Sequence, residues 1–266
     1  MVKRRKYMVM KIYKLILILL LVASCSDADE TYYEIKGDEV VYHSVYRLGQ
    51  EYYTKAHTSI KTVEDADAKT FQQLTKYYGI DKSNVFNEVK KLVKRDPATF
   101  KVLKKMVTAD KYGVYYDNNI IPNSHGLSFR FLNNDYALDD NQVYYQPSDF
   151  NSVVTGADKN TFSVIGDDYS DYAKDKNQVY YKGYVIEGAV VGSFSILKND
   201  ISKDGKSIFF KKKKIKEADY NSFKTLRYEE LKEYEYKFIA QDHNSFYSDN
   251  GGNIAITKKT EVTNEH

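Results

Sequence analysis

The chain has 266 residues with 40 Lys and Arg, 37 Asp and Glu, 26 Tyr, no Trp and a single Cys, a formal charge of +3. One cysteine excludes an intrachain disulfide framework. Residues 1–24 hold six basic and no acidic residues, so the remainder carries 34 basic against 37 acidic side chains, a formal −3, and the electrostatic motive for nucleic-acid binding disappears.

At the amino end, Lys3, Arg4, Arg5, Lys6, Lys11 and Lys14 precede the apolar run Leu15 to Val22, which leads into Ala23-Ser24-Cys25. This is the layout of a secretory signal. Eight apolar residues are too few to span a bilayer, which takes about 20. Met8 and Met10 offer alternative starts to Met1. Val22-Ala23-Ser24-Cys25 resembles the bacterial lipobox, which implies that residues 1–24 are a lipoprotein signal peptide and that Cys25 is acylated. A free exposed thiol is unusual in an oxidising compartment, and several acyl chains make a durable anchor where one binds only marginally. The expectation is a lipid-anchored protein of the bacterial cell envelope, at the outer membrane or cell surface. Residues 25–33 form a tether; their acidic stretch Ser26-Asp27-Ala28-Asp29-Glu30 resembles the surface-export tags of some Gram-negative lipoproteins.

From residue 34 to 257 one phrase returns, followed by a polar tail over 258–266. Its turn aspartates are Asp81, Asp110, Asp139, Asp175, Asp204 and Asp242, with gaps of 29, 29, 36, 29 and 38 residues, a period typical of repeat architectures. After each come turn residues, then an apolar residue (Val85, Val114, Val143, Val179, Ile208, Phe246) and an aromatic one (Phe86, Tyr115, Tyr144, Tyr180, Phe209, Tyr247). This is a hairpin signal, in which the Asp side chain accepts the N–H two residues on. Lys36-Gly37-Asp38-Glu39 begins the array as a half-copy. Because neighbouring strand residues face opposite ways, the strands are expected to be covered on both sides, and the third position after the turn to emerge into solvent. Residues 85–94 carry a helix-like apolar spacing, but the register makes their first part a strand.

Upstream of each turn stands a Ser/Thr-Phe pair at Phe71, Phe100, Phe129, Phe162, Phe194 and Phe223, with Leu or Ile three residues later at Leu74, Leu103, Leu132, Ile165, Leu197 and Leu226. The spacing of three predicts one helical turn. Asp67, Asp96, Asp158 and Asp219 lie four residues before their Phe, placed to cap it, and Pro97 takes the first helical position. The predicted fold is mainly β: a tandem array of β-hairpins separated by single helical turns, elongated and solenoid-like. A propeller is disfavoured because its blades use about 40 residues and four strands.

The phrase is fullest as Asp175-Lys176-Asn177-Gln178-Val179-Tyr180-Tyr181, and the array resembles the DKNYY family over roughly residues 34 to 250. The copies at Asp81 and Asp204 depart from the phrase, and Val190 replaces a capping aspartate. The resemblance implies an exported bacterial repeat protein and supplies no catalytic residue.

No P-loop, Gly-x-Ser-x-Gly, His-Glu-x-x-His or dinucleotide fingerprint is present, and no cofactor is expected. His43, His57, His125, His243 and His266 lack zinc spacing, and His243 reads as a turn residue. Asp65-Ala66-Asp67 and Asp167-Asp168-Tyr169-Ser170-Asp171 offer oxygens to calcium but lack the EF-hand Gly and Glu. The Lys211 to Lys214 run reads as a solvated hairpin arm. Tyrosine rows could hold a glycan or an envelope protein, or simply cover a thin β layer. The function expected is a non-catalytic scaffold or binding module. The alternative is a hydrolase-type enzyme with a site in residues 43–63, using His43, Glu51, His57 and Lys61, although no spacing there supports a mechanism.

Overall fold

A computed structural model describes residues 31–46, 56–104, 106–146, 153–198, 200–226 and 238–262. Cys25, the signal segment, Glu51 and His266 lie outside the described residues. The chain divides into two compact units, residues 1–102 and 103–266.

The described residues form 26 short strands in seven antiparallel sheets. Each repeat is therefore larger than one hairpin. In the second sheet, β4 (Gln72–Gln73), β5 (Tyr78–Ile80), β6 (Val85–Asn87) and β7 (Lys90–Leu92) lie in that order. The stretch with helix-like spacing is thus two strands of a hairpin. Five of the sheets have four strands, so strand number does not separate these units from propeller blades. Two have three strands, the half-copy β1-β2-β3 (Tyr32–Lys36, Glu39–Tyr46, His57–Thr62) among them. The other, β12-β13-β14 (Arg130–Phe131, Tyr136–Leu138, Val143–Tyr145), replaces its fourth strand by a single Tyr144–Val153 bridge.

The fourth strand follows a second reversal. Its tips include Asp117-Asn118, Lys182-Gly183 and Gly251-Gly252, with both residues at positive φ, as a type I′ hairpin turn requires. At Gly183 (φ +77) a Cβ would also fall 2.9 Å from that of Tyr145.

The helical turn is shorter than the Phe-to-Leu spacing implied. Thr70 N–H donates to the Asp67 carbonyl, and the same i to i+3 bond closes the turns at Thr99, Ser128, Thr161, Ser193 and Ser222. The turn stops at the Phe, and a strand begins at the next residue: β4, β8 (Lys101–Lys104), β12, β15 (Ser163–Val164), β19 (Ser195–Lys198) or β23 (Lys224–Thr225). A spacing of three in extended chain sends two side chains to opposite faces. Phe129 and Leu132 accordingly enter different apolar layers, and so do Phe162 and Ile165.

The core is a series of such layers. In the first unit, Val40, Tyr42, Phe71 and Phe86 make one, and Tyr78, Val85, Leu92 and Phe100 another. In the second unit, β14 sends Val143 into one layer and Tyr144 into another; β17 (Val179–Tyr181) and β21 (Ile208–Phe210) divide their residues likewise. Both faces are covered, as the apolar-aromatic pairs predicted. The third position emerges only in part: it is half-buried at Asn87, Tyr116, Tyr145 and Ser248 but buried at Tyr181 and Phe210, which pack into the apolar layers of Tyr172 and Ile201. Each fully buried large side chain contributes roughly 1.5–3 kcal/mol, so one small module copied several times accumulates a core.

Candidate functional site

The six aspartates occupy matching places, all buried. Oδ1 of Asp175 accepts the N–H groups of Asn177 and Gln178 at 2.7 and 2.8 Å, and Asp81, Asp139, Asp204 and Asp242 accept the equivalent pair. Asp110 accepts from Tyr112 at 2.8 Å. Oδ2 reaches further. It takes the N–H of the residue opening the preceding helical turn: Asp67 to Asp81, His125 to Asp139, Asp158 to Asp175, Val190 to Asp204 and Asp219 to Asp242. The residue five places on adds a phenol where it is Tyr, as in Tyr144 to Asp139 at 2.6 Å and Tyr180 to Asp175 at 2.7 Å; Tyr247 donates to Asp242 in the same way. Burial pushes the Asp81, Asp175 and Asp242 carboxyls up, but these donors outweigh it and hold them below the usual carboxylate range.

The hydroxyls before each Phe are also engaged. Thr70, Thr161 and Ser222 donate to the capping aspartates Asp67, Asp158 and Asp219, and accept the N–H of the residue after the turn aspartate, at Lys82, Lys176 and His243. Thr99 donates to Asp96. The predicted caps are therefore in place, and His125 substitutes for one through a 2.7 Å contact with Ser128. His243 lies in its turn as expected.

A further regularity escaped the sequence reading. Two residues before each aspartate stands a small residue, Gly79, Thr108, Ala137, Ala173, Ser202 or Ala240, and each pairs across the hairpin with the buried aromatic, as in Ala173 with Tyr180. At Gly79 a Cβ would fall 2.3 Å from the ring of Phe71, so the Phe that ends the helical turn fills the space that a larger side chain would need. Aligning the copies on their aspartates would have revealed it.

In the stretch 43–63, His43 sits beside Glu34 at 2.7 Å and stacks on Tyr32. His57 stacks on Tyr46. The register pairs His43 with Ile60 and Tyr46 with His57, which puts the two histidines on opposite faces of the sheet. Lys61 shares the His57 face, so His43 is not brought together with either. Of the calcium candidates, Asp65 pairs with Lys91, while Asp67 caps its turn and meets Lys82 at 2.9 Å.

One concavity interrupts the regular array. The loop between β15 and β16 (Tyr172–Lys174) runs from Ile165 to Asp171, three residues longer than its counterpart between β12 and β13. Beside it lies a groove of about 480 Å³ lined by Asp167, Tyr169, Asp171, Ile196 and Asp200. Asp171 accepts the Tyr145 hydroxyl at 2.7 Å and faces Lys182 at 3.4 Å; Asp200 accepts that of Tyr181 at 2.6 Å and faces Lys211 at 3.6 Å. Burial first, and these carboxylates second, raise both phenols well above the ordinary tyrosine value. Tyr169 is 83% exposed. The groove thus offers hydrogen-bond acceptors and a free ring, and no histidine or cysteine lines it.

No curated protein and no solved structure matches the chain. The DKNYY family model matches it over residues 8–119, 45–184 and 89–213, overlapping segments that together take in most of the sequence. With the aspartate turns and their aromatic pairs repeated in matching environments, the chain belongs to the DKNYY family.

Proposed function

We propose that this protein is a non-catalytic binding module of the bacterial cell envelope, anchored by lipid on Cys25. The observation that carries this reading is how the polar groups are used. Repeated aspartates and hydroxyls, the side chains most able to do chemistry, are engaged in the same structural bonds from copy to copy. Variation is concentrated in the connections, of which the loop from Ile165 to Asp171 is one, and recognition commonly resides in loops held by a rigid scaffold. The partner classes that suit such a surface are glycans and envelope proteins.

Three measurements test the reading. Metabolic labelling with a palmitate analogue should mark the wild-type chain and not Cys25→Ala; equal labelling refutes the anchor. Titration against cell-surface glycans and envelope proteins should give at least one saturable response, and uniformly flat responses refute a binding module. Covalent capture by hydrolase activity probes would refute the non-catalytic assignment.

A further inference from the structure

Three successive hairpin tips in the second unit come together: Lys182-Gly183 after β17, Lys211-Lys212 between β21 and β22 (Lys213–Lys214), and Gly251-Gly252 between β25 (Ser245–Asn250) and β26 (Asn253–Lys258). They enclose a groove of about 280 Å³ whose lining includes Tyr181, Tyr184, Phe210, Lys212 and Lys213. That is close to the lower end of small-ligand sites, about 300–1,000 Å³, and suits one ring of a longer chain.

The charges in the groove divide into two classes. Lys182 faces Asp171, and Lys211 lies 3.6 Å from both Asp200 and Asp249. Lys212 and Lys213 have no carboxylate partner among the described residues. Lys212 Nζ instead stands 4.1 Å from the centre of the Tyr184 ring, and Lys213 Nζ donates to Asn253 Oδ1 at 3.1 Å. Tyr184 nevertheless remains 62% exposed. An apolar floor, an open ring and two uncompensated ammonium groups thus share one concave site.

We propose that this groove binds an acidic polysaccharide, with a sugar ring against Tyr184 and its carboxylate between Lys212 and Lys213. The proposal deepens the binding-module reading and rests on it. A sugar presents an apolar C–H face to an aromatic ring, while its acid supplies the charge that the two lysines lack. A flat lipid surface would be met by cations crowning a protrusion, whereas these line a concavity. A polynucleotide would demand many more phosphate contacts than two free lysines provide.

The test uses the full-length protein in detergent micelles and polygalacturonate as the probe. Neutral dextran, phosphatidylglycerol vesicles and a single-stranded oligonucleotide serve as comparisons. Polygalacturonate should bind and dextran should not. Tyr184→Ala and the double change Lys212→Gln with Lys213→Gln should each weaken binding by about tenfold or more, and added salt should weaken it as screening increases. Lys212→Arg with Lys213→Arg should retain it. Unchanged circular dichroism shows that a loss is local; a variant that fails this check is replaced by Tyr184→Gln or by Lys212→Gln alone, each of which should still weaken binding, while Tyr184→Phe, which keeps the ring, should bind as wild type. Absence of polygalacturonate binding, equal binding of dextran, or Gln variants that bind like wild type would overturn the proposal. Lysine-dependent capture of the vesicles or the oligonucleotide in place of polygalacturonate would overturn it too. If Cys25 labelling and another saturable partner persist in that case, the groove assignment alone fails.

Discussion

Replacing Asp175 by alanine tests the idea that each turn aspartate joins a hairpin to the helical turn before it. The carboxylate accepts four donors: Asn177 and Gln178 N–H at 2.7 and 2.8 Å on Oδ1, Asp158 N–H at 2.8 Å and the Tyr180 hydroxyl at 2.7 Å on Oδ2. Hydrogen bonds to a charged group are worth about 1.5–3 kcal/mol each, and a buried donor left unpaired costs about 1–3 kcal/mol. The two turn amides can recover water, while the Tyr180 ring is fully buried. The expected loss is therefore about 3–5 kcal/mol, well above the roughly 1 kcal/mol of an ordinary substitution.

Tyr180→Phe provides a graded control. Phe86 and Phe209 fill the same place in sibling copies, so losing the hydroxyl alone should cost about 1 kcal/mol. Urea denaturation followed by circular dichroism gives both numbers. Amide hydrogen exchange should show the loss concentrated in residues 157–186, because stability in repeat arrays is carried by units and their immediate neighbours. Asp175→Ala within about 1 kcal/mol of wild type, or exchange unchanged across that segment, would refute the joint.

Acid should act through the same groups. Asp81, Asp175 and Asp242 have folded-state values below the unfolded one of about 3.9, so the stability they supply is complete above about pH 4 and lost as pH falls through the lowered values. The urea midpoint should hold from about pH 7 to 5 and drop below about 4; an undiminished midpoint at about pH 3 would contradict this. At the alkaline end, burial raises the Tyr136, Tyr144, Tyr180 and Tyr247 phenols above their ordinary value of about 10. Their stabilisation is complete below about pH 10 and lost as pH rises towards the folded-state values, so phenolate absorbance should appear in an early exposed fraction and a later one coincident with unfolding. A single reversible step for all tyrosines would count against it. Ala173→Leu, opposite Tyr180 in a filled layer, should destabilise by about 1–3 kcal/mol, while Ala173→Ser should stay near wild type because Ser202 stands at that place in another copy; thermal denaturation of the pair checks both.

Much of the module was legible because its turn chemistry is local. Asp bonding the N–H two residues on, Asp or Pro opening the helical turn, and paired apolar residues covered on both faces are all written within a few positions. What escaped was information carried between segments. The Phe-to-Leu spacing of three suits a helix as well as opposite faces of a strand, and only the neighbouring layers decide between them. The second hairpin was hidden because its tips differ from copy to copy, Asp-Asn in one, Lys-Gly in another and Gly-Gly in a third. Their shared property is positive φ, which sequence identity does not display. The groove at the lysine tips was illegible for the same reason, since Lys182, Lys212 and Gly252 come from three different sheets.

The abundance of tyrosine without tryptophan follows from this joint. A buried phenol fills a layer with its ring and reaches backbone beyond that layer with its hydroxyl. The single Tyr33 hydroxyl proton lies between the Tyr77 and Glu88 carbonyls, each 2.9 Å from its oxygen, while Tyr136 donates to the Asp171 carbonyl and accepts the Gly183 N–H. An indole could donate but not accept, so it could not serve the Tyr136 position. Tyrosines in such places are explained by the fold and need no ligand. If the protein is the binding module proposed, recognition is to be sought at the exposed ones, which among the described residues are Tyr32, Tyr46, Tyr112, Tyr169 and Tyr184. Among these, Tyr169 and Tyr184 line grooves, and only the groove of Tyr184 also holds cations without a carboxylate partner among the described residues. This difference is why the proposed polysaccharide site is placed at Tyr184 and not at Tyr169.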